Sequence, residues 1–191
     1  MTDFMKYFDA EMNPKLGIRA PTFRAVIREA LHQDVMSIVE TGCLRKEDNW
    51  AGDGQSTLIW DAYRRFSLGD FTSIDISEEA ISLIRKLCPD STSICGDSVE
   101  ALNRHIGAID LLYLDSFDLD TSNEHPAALH CLFEFCAARP HLHPGSILFI
   151  DDSPMGQDWI VAGKGRYVAQ YMKQLAVNPF TFGYQVAYLM P

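Results

Sequence analysis

Carboxylates recur in this chain directly after short apolar runs. Glu40-Thr41-Gly42 closes one run, Asp75 a second, Gly96-Asp97-Ser98 a third, Asp115 a fourth and Asp151-Asp152 a fifth. One acid in such a place is ordinary, because loops and helix starts favour Asp and Ser. Five successive runs that each end in an acid are hard to attribute to capping alone. Carboxylates crowded at one edge repel one another and cost stability unless a cationic or hydrogen-bonding ligand offsets the charge. The chemistry this spacing supports is therefore the binding of such a ligand.

The elements that must position these acids alternate along nearly the whole chain. Strands are expected at Val35–Thr41, Phe71–Ile76, Thr92–Cys95, Ile109–Leu114 and Ser146–Ile150. Helical spacing falls between them at Ser56–Phe66, Glu78–Leu87, Val99–Arg104 and Pro126–Ala138, with another helix at Gly165–Leu175. Segments such as LLYL and ILFI are apolar throughout, as parallel strands covered by helices on both faces are. This rhythm predicts an α/β fold with a doubly wound, mostly parallel sheet. Ligands of such sheets sit beyond the carboxyl ends of the strands, where the acids fall. At the C-terminus, Pro179–Phe182 and Gln185–Met190 flank Gly183-Tyr184, which suits a type II′ hairpin with Val186–Met190 antiparallel in the sheet. Residues 1–34 read as flanking or lid helices, since Phe23, Val26, Ile27 and Leu31 share a helical spacing. Residues 35–191 form the core of a single domain.

Composition narrows the partners. The 191 residues suffice for one domain, and the net charge of -10 repels phosphate backbones, so nucleic acid is excluded as a partner. Five cysteines without a Cys-x-x-Cys pair offer neither a disulfide framework nor a zinc knuckle. The first residues are acidic where a secretory signal is basic, and no apolar run is long enough for a membrane helix. A reduced, cytoplasmic setting is expected, without a membrane partner, and self-association as a homodimer is left open.

Over roughly residues 35–190 the sequence resembles the class I S-adenosylmethionine-dependent methyltransferases. The resemblance rests on the Glu40-Thr41-Gly42 turn, on Asp75 in SIDIS, and on Asp97-Ser98. It implies a seven-stranded Rossmann-like sheet with an antiparallel C-terminal strand, and S-adenosylmethionine as cofactor. Contacts to the cofactor would come from Glu40, Thr41, Gly42, Ser56, Asp75, Ile76, Asp97, Ser98 and Asp115. In the family the acid at Asp75 takes the ribose hydroxyls, and the Asp97-Ser98 position lies beside the adenine. The chain departs from the pattern where residues 43–51 intervene before Gly52-Asp53-Gly54, so that Gly52 through Thr57 are expected to supply the helix N-terminus and the inserted arm to cover the cofactor. The G-x-G-x-x-G turn of nucleotide dehydrogenases is absent.

LLYLDSFD and LFIDDSP are similar to the metal-dependent catechol-type O-methyltransferases. This similarity implies that Asp115, Asp151 and Asp152 hold Mg²⁺ or another divalent cation, a hard ion suited to oxygen donors. The lysine base of those enzymes is replaced by Asp118, so His125 becomes the expected base, with Asp115 as its catalytic partner. His130 is expected to face elsewhere, Lys164 and Arg166 to begin a solvated helix, and Trp50 to anchor the inserted loop. The reading is O-methylation of a small molecule or glycan hydroxyl. Two alternatives stand beside it: an aspartyl phosphatase of the haloacid dehalogenase type, suggested by Asp118-Leu119-Asp120, and a non-catalytic binder with this fold. Against the phosphatase, no lysine lies between Lys86 and Lys164.

Overall fold

Where the sequence turns apolar the chain extends, and where it turns amphipathic it coils. The computed structural model describes residues 3–52, 55–156, 158 and 160–191. The chain opens with α1 (Asp3–Tyr7), a π-helical turn (Phe8–Met12), two short 3₁₀ turns and α2 (Ala20–His32). The core then alternates β1 (Ser37–Thr41), α3 (Ser56–Ser67), β2 (Asp70–Asp75), α4 (Glu78–Leu87), β3 (Thr92–Cys95) and α5 (Ser98–Asn103). It continues through β4 (Ile109–Leu114), α6 (His125–Ala138), β5 (Leu142–Ile150), α7 (Arg166–Gln174), β6 (Thr181–Phe182) and β7 (Val186–Leu189).

The strands make one sheet in the order β3-β2-β1-β4-β5-β7-β6. β1 pairs in parallel with both β2 and β4, so the winding reverses between β1 and β4 and opens a crevice at their carboxyl ends. β7 runs antiparallel to β5, with Ile147 opposite Leu189 and Ile150 opposite Val186, as expected for the apolar C-terminal run. The turn before it differs from expectation. Gly183 lacks the positive φ that a type II′ turn requires, and three residues, Gly183 to Gln185, separate the strands.

The pleat of the sheet sorts its side chains into two layers. Ile38, Leu111, Tyr113, Ile147 and Phe149 face one core, which α2, α3 and the N-terminal turns complete. Val39, Leu112, Leu114, Leu148 and Ile150 face the other, covered by α6 and α7. Phe4, Phe8, Met12, Leu16 and Phe23 are all buried in the first layer. The described residues of the N-terminal segment are therefore part of a packed core that flanks the sheet. Trp50 packs against this layer from the inserted loop, with the Lys15 ammonium 4.9 Å from its ring centre. Among the described residues no helix is long and apolar enough to cross a membrane.

Candidate functional site

A cavity of about 540 Å³ opens where β1, β2, β4 and β5 end. The turn after β1 shapes it. Gly42 has φ +72°, and a Cβ there would lie 2.5 Å from the carbonyl oxygen of Asp115, so only glycine lets this turn press against the end of β4. Asp75 fixes the same turn from β2. Its carboxylate accepts the Cys43 amide at 3.0 Å, the Cys43 thiol at 3.3 Å and the Ser77 amide at 2.8 Å, and it lines the cavity. Asp97 caps α5 by accepting from the Glu100 amide at 2.8 Å. Ile76 and Phe117 line the same end and leave apolar faces open, with exposures of 77% and 52%.

At the other end of the cavity the acids of β4 and β5 meet two cations. Lys164 places Nζ 2.7 Å from Asp115 Oδ1 and 3.1 Å from Asp152 Oδ2. Arg19 donates to Asp151 at 3.1 Å and lies 3.7 Å from Asp152, while its guanidinium covers the Tyr184 ring at 4.8 Å. The Tyr184 hydroxyl donates to Asp152. Burial opposes the Lys164 charge, yet Asp115 and Asp152 override it and keep the ammonium protonated. Burial also raises the proton affinity of Asp115, against Lys164 and with the added repulsion of Asp151 and Asp152. Asp152 goes the other way: burial would raise it, but Lys164 and the Tyr184 hydroxyl hold it below the usual carboxylate range.

The expected metal ligands Asp115, Asp151 and Asp152 all lie in this arrangement. Among the described residues no group of three or more His, Cys, Asp or Glu side chains is placed to hold a metal ion. The carboxylates that would have ligated one are neutralised by Lys164 and Arg19, and Asp151 is almost wholly buried outside the cavity lining. Lys164 itself is only 3% exposed, so it does not begin a solvated helix.

Three expected cofactor contacts also fall outside the lining: Glu40, Thr41 and Ser56. Glu40 lies in register with Ser73 on the face that α3 covers, where it accepts from Ser56 at 2.5 Å, Thr57 at 2.7 Å and Ser73 at 2.8 Å. It thus ties the first turn of α3 to β1 and β2. Thr41 is buried, and its carbonyl takes the Asp115 amide at 2.9 Å. Burial lifts the Glu40 carboxyl from its ordinary 4.5 to about 7, against the pull of the three hydroxyls. The folded chain thus binds this proton more tightly than the unfolded one. Its contribution is fully present below pH 4.5 and is lost as the pH rises through 7. Urea melts at pH 5 and pH 8 should show about 3 kcal/mol of this loss in the wild type and little in Glu40→Gln. Equal slopes in the two proteins would show that Glu40 does not carry it.

The histidines exchange places. His125 is exposed outside the lining and pairs with the Tyr167 hydroxyl, so it is not placed to serve as the base. His130 lines the cavity, 3.1 Å from Ser98 Oγ and 3.5 Å from Glu134, whose other partner is Ser116 at 2.6 Å. Five residues along a helix turn the side chain by well over a right angle, so only one of the two can face inward. Of the residues behind the phosphatase reading, Asp118 lies on an exposed loop at the cavity lining, paired with Arg45 at 3.0 Å, and Asp120 accepts from Ser122 in a turn. From the inserted loop, Cys43, Arg45 and Gly52 reach the lining. α3 begins at Ser56 behind a left-handed Gln55, while Asp53 and Gly54 lie outside the described residues.

Neither a protein-family model nor a curated protein sequence matches the chain. Solved structures do match. MycE, a methyltransferase of the mycinamycin biosynthetic pathway in complex with Mg and SAH, superposes with TM-score 0.63 at 19% identity over 98% of this chain. The chain spans about half of MycE, 54% of its length. The O-methyltransferase NovP gives TM-score 0.59 at 14% identity, covering 93% of this chain and 79% of NovP. A protein from Klebsiella pneumoniae described as an O-methyltransferase gives 0.57 at 15% identity, covering 100% and 91%. At these identities the likeness establishes the fold, which is that of the class I methyltransferases.

Proposed function

We propose that this chain transfers a methyl group from S-adenosylmethionine to a hydroxyl oxygen of a small molecule or glycan. One observation carries the reading: a single cavity lined by Asp75, Ile76, Asp97 and Ser98 at one end and by Asp115, Asp152 and Lys164 at the other. The residues fit the cofactor. Asp75, at the cavity wall, would accept the ribose hydroxyls, Ile76 and Phe117 offer apolar faces for the adenine, and Asp97 and Ser98 line the same cavity. The Gly42–Cys43 turn, pressed against the end of β4 at Asp115, would hold the methionine part. When bound, S-adenosylmethionine supplies an electrophilic methyl on a sulfonium.

The chain supplies the rest. Asp115, a carboxylate with raised proton affinity at the cavity wall, takes the proton of the acceptor hydroxyl. Lys164 and Arg19 keep Asp115 and Asp152 from repelling each other out of position. Holding donor and acceptor together supplies much of the rate. The excess of acids over bases, net -10, favours neutral or cationic acceptors over phosphorylated ones.

The test is calorimetric titration of S-adenosylmethionine into the full chain. Affinity in the micromolar range is expected, about -7 to -8 kcal/mol. Asp75→Ala should lose about 1.5–3 kcal/mol of it through charge-assisted hydrogen bonds to the ribose. Binding that is unchanged in Asp75→Ala would move the cofactor elsewhere, and no binding by the wild type would end the reading.

A further inference from the structure

Lys164 is seated by its backbone as firmly as by its charge. It follows Gly163, whose φ is +63°, and a Cβ on Gly163 would fall 1.9 Å from the carbonyl oxygen of Asp152. Gly165 after it leaves as little room, since a Cβ there would lie 2.7 Å from Ser153 Oγ. The Lys164 amide donates to the Asp152 carbonyl at 3.0 Å, and the Gly165 amide donates to Ser153 Oγ at 2.8 Å. The two glycines thus let the backbone lie against the turn after β5, with the lysine held between them. Its ammonium reaches the Asp115 carbonyl at 3.1 Å besides the two carboxylates, so all three N–H donors are used. With Arg19 on Asp151 and Asp152, three acids face two fixed cations.

We propose that Lys164 is the resident cation of this site, standing where a divalent ion would otherwise bridge Asp115 and Asp152. The chain carries its own counter-charge there and does its chemistry without a bound metal. Lys164 is a positioning residue: its donors are spent on Asp115 and Asp152, and it acts on the acceptor through Asp115. That last role rests on the methyl-transfer reading; the replacement of a metal does not.

The experiment is thermal unfolding of the full chain in EDTA and in MgCl₂ up to about 10 mM, with S-adenosylhomocysteine binding measured alongside. The wild-type melting temperature should be the same in EDTA and in Mg²⁺. Lys164→Ala, which strips Asp115 of its cation and leaves Asp152 only Tyr184 and the more distant Arg19, should melt roughly 6–20 °C lower in EDTA. Mg²⁺ should then restore part of that loss, in proportion to the logarithm of its concentration. Lys164→Arg should keep the wild-type indifference to Mg²⁺. A wild-type protein that Mg²⁺ stabilises, or a folded Lys164→Ala that Mg²⁺ leaves unmoved, overturns the proposal. Should Lys164→Ala fail to fold, calorimetric titration of MgCl₂ into the wild type decides. Binding heat overturns the proposal and its absence supports it. Failure of S-adenosylhomocysteine to bind the wild type would count against the methyl-transfer reading alone.

Discussion

Asp115→Asn should lower methyl transfer by about 10²- to 10⁴-fold, the range in which a positioned proton acceptor contributes. Asparagine keeps the size of the side chain and its oxygen can still accept from Lys164, so the packing around β4 survives and cofactor binding should stay within about tenfold. What disappears is the capacity to take a proton. The surroundings of the three acids favour Asp115 for this proposed role. Asp151 is buried against Arg19, and Asp152 is held as a carboxylate by Lys164 and Tyr184. Asp115 alone lines the cavity with its proton affinity raised, chiefly by burial. The sign of the pH effect follows. A base works only when deprotonated, so wild-type activity should fall as the pH drops, on a limb above the ordinary carboxylate range. Asp115→Asn should lack that limb. Rates measured under saturating cofactor across pH 5 to 9 check both points, and full activity in Asp115→Asn would remove Asp115 from the chemistry.

The parts of the fold that the sequence displays are those set by short-range pattern. β1, β4 and β5 are apolar because both faces are covered, and the carboxyl ends of β1 to β5 could be read to within one residue, so Asp75, Asp97 and Asp115 fall at the crevice as expected. The antiparallel β7 was legible because VAYLM is too apolar to stand at an open edge. What was hidden depends on direction and on distance along the chain. Glu40 ends a strand as Asp75 does, but it shares the face of Ile38, and that face lies under α3. The alternation in SIVET carried the clue. His125 and His130 differ only in helical phase, which no single-residue reading sets. Lys164 looked like a helix-start charge, although the flanking Gly163 and Gly165 after an Asp-Asp turn hinted that its backbone was needed close by. Arg19 gave no signal, because its partner lies 132 residues away.

That long contact makes Arg19→Met the second large effect, a loss of about 3–5 kcal/mol of stability, or roughly 6–20 °C in melting temperature. Arg19 closes the last turn before α2 and is 12% exposed, and the Asp151 side chain beneath it is 1% exposed. Burial opposes the guanidinium charge, and Asp151, then Tyr113 and Tyr184, more than restore it. Methionine keeps much of the side-chain length but abandons Asp151 as a buried charge without its partner, and that penalty exceeds the net value of the pair itself. The double variant separates the two. Arg19→Met with Asp151→Leu has no charge left to strand, so it should recover most of the loss and give a coupling of at least about 2 kcal/mol in the mutant cycle. Denaturant melts of the four proteins measure it. A double variant as unstable as the sum of the singles would mean that Arg19 stabilises by packing on Tyr184, and that the charge on Asp151 is answered elsewhere.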